Sequence, residues 1–153
     1  MRATFLAVTP GALGRVLPFM SRLYEQDELT YDPVRARAVS EWLLANPDYG
    51  AIWLIEAAGA DVGYMVVTVC VSIEFHGRFA LLDELYLDPP WRGQGIASQA
   101  IDFAAAWAGS RAISAMRLET ATDNAHAIHV YRKAGFIIHS RHLMTKYLVD
   151  PRP

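Results

Sequence analysis

Over the first fifty positions apolar residues recur at helical spacing, and beyond them the pattern tightens into alternating and continuous apolar runs. Residues 3–8 alternate weakly, which predicts a first strand. Thr9-Pro10 has the form of a helix start, with Thr as cap and Pro at a position whose N–H would be unpaired anyway. Leu13, Val16, Leu17, Met20, Leu23 and Tyr24 follow at helical spacing, and Pro18 is expected to kink this helix or delay its start. Asp32-Pro33 repeats the start signal. Val34, Ala38, Trp42 and Ala45 then give a second helix its apolar stripe, ending near Asn46-Pro47.

From Ala51 the pattern is that of strands. Ala51 to Ala58 is a short apolar run, Gly59-Ala60-Asp61 a turn, and Val62 to Glu74 a long stretch rich in β-branched residues. His76-Gly77-Arg78 turns the chain into another strand, Phe79 to Leu87, which completes an antiparallel meander. Asp88-Pro89-Pro90 ends it, because prolines cannot donate to a central ladder. Ile96, Ala100, Phe103, Ala104 and Trp107 share one face of a third helix. A strand is expected at about 113–120, a helix at about 124–134 closed by Gly135, and one or two final strands over 136–148. The strand–helix–strand unit over 79–120 is a βαβ crossover, so its strands should be parallel neighbours. The sum is a mixed, mostly antiparallel α/β sheet with flanking helices, forming one domain over 1–153.

Composition narrows the function classes more than the fold. With 53% hydrophobic and 20% charged residues the chain is of ordinary globular type, and its length needs no disulfide or metal staple. The single cysteine, Cys70, lies in an apolar strand and reads as core. A net charge of −2 speaks against a nucleic-acid partner. No run of eighteen apolar residues is present, so no membrane span is expected. The N-terminus lacks an extended apolar segment, which gives the expectation of no secretory signal and a cytoplasmic location. None of the five histidines has metal-ligand spacing, so no metal is expected.

The chemistry-bearing segment is Arg92-Gly93-Gln94-Gly95-Ile96-Ala97, between a strand and a helix start. Glycines there let the backbone approach a ligand, and the unpaired first amides of the helix, with its dipole, favour a phosphate or pyrophosphate. A turn that merely starts a helix would look similar. A Walker loop fails for want of Gly-Lys-Ser/Thr. A dinucleotide fingerprint comes closer through Gly93, Gly95 and Ser98, with Glu119 about twenty residues on, and would make the protein an NAD(P)-binding oxidoreductase. Against it, Asp88 to Arg92 separate the loop from its strand, and only about thirty residues follow Glu119.

The stretch Leu82 to Ala97 resembles the acyl-CoA signature of the GCN5-related N-acetyltransferases (GNAT): the family's Arg/Gln-x-x-Gly-x-Gly/Ala pattern falls on Arg92, Gly95 and Ala97. A second signature of that family follows at the usual separation, from Asn124 to Phe136. The resemblance covers about 51–148 and weakens over 1–50, the helices expected to shape the acceptor side. It implies an acyl-CoA N-acyltransferase fold whose splayed parallel strand pair admits acetyl-CoA, with residues 79–135 as the acyl-CoA-binding core. It further implies main-chain contacts from Leu85, Tyr86 and Leu87, a phosphate cradle from Arg92, Gly93, Gln94, Gly95, Ile96 and Ala97, and a pantetheine wall from Asn124, Ala127 and Tyr131. Tyr131 becomes the general acid for the CoA thiolate, Lys133 a candidate phosphate contact, and a homodimer a family-level expectation. Positions 124, 127, 128 and 131 do share one helix face, at i, i+3, i+4 and i+7.

Attack on a thioester needs a neutral amine, and so a proton acceptor. Asp83 and Glu84 are adjacent carboxylates whose side chains should point to opposite faces of a strand, so at least one should reach the groove. Glu84 is the favoured base and Asp83 the second, acting directly or through a water. Tyr24, Glu25, Asp27, Glu28, Tyr31 and Asp32, in the connection between the first helices, form an acidic and aromatic cluster suited to a cationic amine, and Glu74, Phe75 and His76 at the tip of the long hairpin are candidates for the same acceptor site. The expected activity is direct, ternary-complex transfer of an acetyl group to a primary amine of a small molecule or peptide. A non-catalytic acyl-CoA-sensing domain is the rival on the same fold.

Overall fold

The computed structural model describes residues 1–149; the last positions of the expected 1–153 domain, 150–153, lie outside the described residues. Strand β1 (Ala3–Ala7) leads through a 3₁₀ turn (Pro10–Ala12) into helix α1 (Leu13–Gln26), which runs through Pro18. Helix α2 (Pro33–Ala45) starts as the sequence predicts: the Asp32 carboxylate accepts from the amides of Val34 at 2.9 Å and Arg35 at 3.0 Å. Then come β2 (Gly50–Ala57), β3 (Ala60–Ser72), β4 (Gly77–Leu87), α3 (Ile96–Ser110), β5 (Met116–Leu118) and α4 (Ala125–Lys133).

The five strands form one sheet in the order β1-β2-β3-β4-β5, antiparallel except for the parallel pair β4–β5. This is the expected mixed sheet with flanking helices. One buried cluster lies between the sheet and α3, built from Trp53, Met65, Val67, Leu82, Ile96, Ala100 and Ile101 among others. The second lies beneath α1 and α2 and holds Leu13, Val16, Phe19, Met20, Leu43, Tyr64, Val66 and Tyr86.

Three expectations are corrected. The stripe Val34, Ala38, Trp42 and Ala45 is on the exposed side of α2, and Ser40 and Leu43 face the core instead. Helical spacing fits either face, and Ser40 is acceptable inside because its hydroxyl donates to the Ala36 carbonyl at 2.7 Å. Strand β5 is three residues long rather than about eight. No strand forms between 136 and 149: Phe136 packs on the α3-side cluster, but Ile137, Ile138, Leu143, Met144 and Leu148 are exposed. So short an edge as β5 offers a following strand little ladder to grow on.

Among the described residues no helix is long and apolar enough to cross a membrane.

Candidate active site

The site begins with a mismatch in strand length. Strand β5 pairs with β4 only at Ala80, Leu81 and Leu82, while β4 continues to Leu87. From Asp83 onward β4 is backed by β3 on one side and, among the described residues, by no strand on the other. Such an edge carries unpaired backbone donors and acceptors, which is what an extended acyl-pantetheine arm requires.

A bulge in the same strand aims the carboxylates. Val66 pairs with Glu84 and Val67 with Leu82, so Asp83 is the extra residue on β4. Before the bulge Ala80 and Leu82 face the α3-side cluster; after it Leu85 and Leu87 take that side, while Tyr86 joins the α1–α2-side cluster. Glu84 turns the same way as Tyr86. Strict alternation is therefore broken, and both Asp83 and Glu84 line one groove rather than opposite faces.

Close packing of β3 behind β4 supports this half of the strand. A side chain at Gly63 would collide with the Tyr86 carbonyl oxygen and crowd the Leu87 Cα, so only glycine fits there.

The groove has a volume of about 680 Å3. One wall is the end of α1 and its loop (Leu23, Gln26, Asp27, Glu28, Leu29), the floor is Leu82 to Leu85, and the other wall is Glu119 to Asn124 with Ala127 and Tyr131 of α4. Six of these residues are acids: Asp27, Glu28, Asp83, Glu84, Glu119 and Asp123. No Lys, Arg or His lines it, and none of the six acids forms an ion pair among the described residues. A smaller cavity of about 340 Å3 adjoins it, lined by Gln26, Leu85, Tyr86, Leu87, Arg92, Asn124, His126, Ala127 and Tyr131.

Glu84 is the most tightly held of the acids. The buried Tyr64 hydroxyl donates to its Oε2 at 2.8 Å, and Tyr24 of α1 makes a weaker contact with the same carboxylate. Burial pushes the Glu84 carboxyl up; the Tyr64 hydrogen bond acts in the opposite sense, and the charge of Asp83 adds to the rise. Asp83 is also raised, by desolvation at the groove floor first and by Glu119 second, although its side chain keeps solvent access. Tyr24 is pushed up to about 12, by burial and then by Glu84, so it stays a neutral donor. Burial likewise raises Tyr131, which keeps its proton at neutral pH.

The glycine loop has the geometry the sequence suggests. Gly93 and Gly95 both adopt left-handed backbone, at φ 72° and 78°, and Gly95 precedes α3 with no side-chain cap, so the first-turn amides of that helix are open to a ligand. Individual side chains do other work. Ile96 is buried in the core, so only its main chain can face a phosphate. Gln94 folds back to donate to the Pro90 carbonyl at 2.8 Å. Arg92 turns toward α1, donating to the Leu87 carbonyl at 2.8 Å and to Gln26 at 2.6 Å. With the Arg22–Asp88 pair at 3.0 Å, this ties α1 to the loop.

Asn124 lines both cavities and also caps α4, accepting from the Ala127 amide at 3.1 Å. Lys133 is exposed in the last turn of α4.

On the acceptor side Tyr24 and Glu28 reach the groove region, whereas Glu25 is exposed outside its lining. Glu74 and Phe75 do not join it. They sit at the β3–β4 turn, some seven residues or about 23 Å along β4 from Glu84, where Glu74 pairs with Arg117 at 3.1 Å and Arg141 at 3.3 Å, and Phe75 packs on Phe79. Tyr64 is the addition that sequence reasoning missed, and Tyr31 of the expected acidic and aromatic cluster lies close to Glu84. Tyr31 meets Tyr24 edge to face at 5.5 Å, and Glu84 raises it after burial does. Among the described residues no His, Cys, Asp and Glu converge as a metal site.

Comparison with known proteins agrees with this geometry. The Escherichia coli streptothricin acetyltransferase is 38% identical over 66 residues, which span 43% of this chain and 38% of that relative's length. An integron cassette protein from the mobile metagenome of Cole Harbour Salt Marsh superposes with a TM-score of 0.85 at 27% identity, over 96% of this chain and 91% of its own. A predicted acetyltransferase from Clostridium acetobutylicum, solved with acetyl-CoA, shares the fold with a TM-score of 0.79 at 17% identity, over 95% of this chain and 96% of its own. The mostly antiparallel sheet also leaves the dinucleotide reading without the doubly wound domain it requires. The family model for the acetyltransferase (GNAT) family matches residues 17–136, and the chain belongs to that family.

Proposed function

We propose that this protein is an acetyl-CoA-dependent N-acetyltransferase whose acceptor is a primary amine on a polycationic small molecule. The observation that carries this reading is that Glu84 on the floor and Tyr131 on a wall line one groove, where β4 runs on without β5. Acetyl-CoA supplies an activated acyl group as thioester. Glu84 takes the proton from the acceptor ammonium or amine, with Asp83 as the second candidate. A backbone amide near Leu85 donates to the thioester carbonyl oxygen as charge builds there. The new N–C bond forms as the C–S bond breaks, and Tyr131 gives its proton to the thiolate and recovers one from solvent. Leu85 to Leu87, Asn124 and Ala127 flank the arm, and the amides of Gly93 to Ala97 face the phosphates.

Two facts support a polycation. Six unpaired acids surround a cavity large enough for a multi-ring or polyamine ligand, and the similar E. coli protein is named for acetylating streptothricin. Thiol release from acetyl-CoA should be followed with kanamycin, spermine, simple monoamines and a short peptide. Turnover should favour the polycations, with KM rising as salt screens the groove. Preference for the monoamine or the peptide would overturn the acceptor class, and acetyl-CoA binding without turnover on any amine would assign a sensor.

A further inference from the structure

Tyr64 is a polar side chain in the interior of the α1–α2-side cluster, and its hydroxyl reaches Glu84 in the groove. Its ring is fully buried between β2, β4 and α1, paired across the sheet with Tyr86. A phenol in such a place needs a partner for its hydroxyl, and the partner is Glu84 Oε2 at 2.8 Å. The bond holds in both directions: the ring is locked by the core, so the oxygen it holds is locked too. The pairing exists only because the Asp83 bulge turns Glu84 onto the Tyr64 side.

We propose that Tyr64 is the positioning residue that fixes the orientation and proton affinity of the Glu84 carboxylate. This rests on the reading of Glu84 as the base. Committing Oε2 to Tyr64 presents Oε1 to an incoming amine in one orientation instead of several. Burial first and the Glu84 charge second push the Tyr64 hydroxyl far above its ordinary pKa, so it stays a donor to Glu84 and does not relay the proton. The other groups that bear on Glu84 are Tyr24 and Asp27 at the end of α1, Tyr31 in the following loop, and Asp83 beside it on β4; Arg37 of α2 acts on Tyr31. Of the groups that hold Glu84 charged, the Tyr64 hydroxyl is the strongest, ahead of Tyr24. A donor to the charged form makes the carboxylate a base at lower pH than burial alone would allow.

The test reads Glu84 directly, by titrating carboxyl-labelled protein by NMR, with the Glu84 resonance assigned from Glu84→Gln. In Tyr64→Phe the Glu84 midpoint should rise by about one pH unit, a tenfold gain in proton affinity. Replacing Tyr64 with 3-fluorotyrosine keeps the shape, strengthens the donor and should move the midpoint the other way; this arm decides if the phenylalanine variant fails to fold. The acid limb of kcat/KM for the best amine of the panel should follow both shifts, with KM for acetyl-CoA unchanged. A purely structural tyrosine would lower Tm in Tyr64→Phe and move neither midpoint nor limb, and that result overturns the proposal. Unchanged acetyl transfer in Glu84→Gln would instead overturn the assignment of the base.

Discussion

The two halves of β4 have the same neighbour on one side and opposite fates on the other. From Ala80 to Leu82 the strand is covered by β5 and by α3, and its inward residues Ala80 and Leu82 are buried. From Asp83 to Leu87 the β5 partner is missing, a residue is inserted, and the same strand presents two carboxylates to a groove. The first half is specified by packing, the second by what is withheld from packing. A single strand thus serves as scaffold and as site, and the boundary between the roles is one residue wide.

The comparison can be broken hardest at Glu84. Glu84→Gln removes the base but keeps the shape, and kcat/KM for the amine should fall by about 10²- to 10⁴-fold, with KM for acetyl-CoA little altered; a loss below threefold would move the base elsewhere. In the packed half the readout changes from rate to stability. Leu82→Ala should lower the unfolding free energy by about 2–5 kcal/mol, while Leu85→Ala, half-buried beside the groove, should cost about 1–2 kcal/mol. Equal losses in urea melts would mean that the open half is as tightly packed as the closed half. The smallest effect is the most diagnostic. The charge of Asp83 raises Glu84, so Asp83→Asn should lower the Glu84 pKa and carry the acid limb of the rate profile to lower pH by about half a pH unit. Abolished activity would make Asp83 itself the base.

How much of this is legible in the sequence depends on whether a feature is local. The Asp32 cap, the meander over β2 to β4 and the α3 stripe are written in short patterns, and the structure has them. The glycine loop and the Asn124–Tyr131 face are local as well. What fails is whatever depends on pairing across the sheet. Alternation sends Asp83 and Glu84 to opposite faces, and only the register against Val66 and Val67 reveals the bulge that brings them together. Tyr64 stands in a run of apolar and β-branched residues, where its hydroxyl has no visible partner until Glu84 is folded against it. The α2 stripe misleads for a related reason: both sides of that helix carry apolar residues, and the side facing the core is chosen by α1 and β2, which the helix's own spacing cannot register. Position at a hairpin tip suggests Glu74 for the acceptor site, but the register of the hairpin holds it at the far end of β4, against Arg117.

The bulge at Asp83 makes that residue an insertion in an otherwise regular strand. Deleting that one residue would give β4 uninterrupted alternation and a cleaner ladder with β3, and by ordinary measures a better strand. It would also keep the phase beyond it: Leu82 on the α3 side would be followed directly by Glu84 on the Tyr64 side, so the Tyr64–Glu84 bond would stay and only the Asp83 carboxylate would leave the groove. A single-residue shortening there is thus a subtraction of one carboxylate from the groove, with the two faces of the strand left as they are.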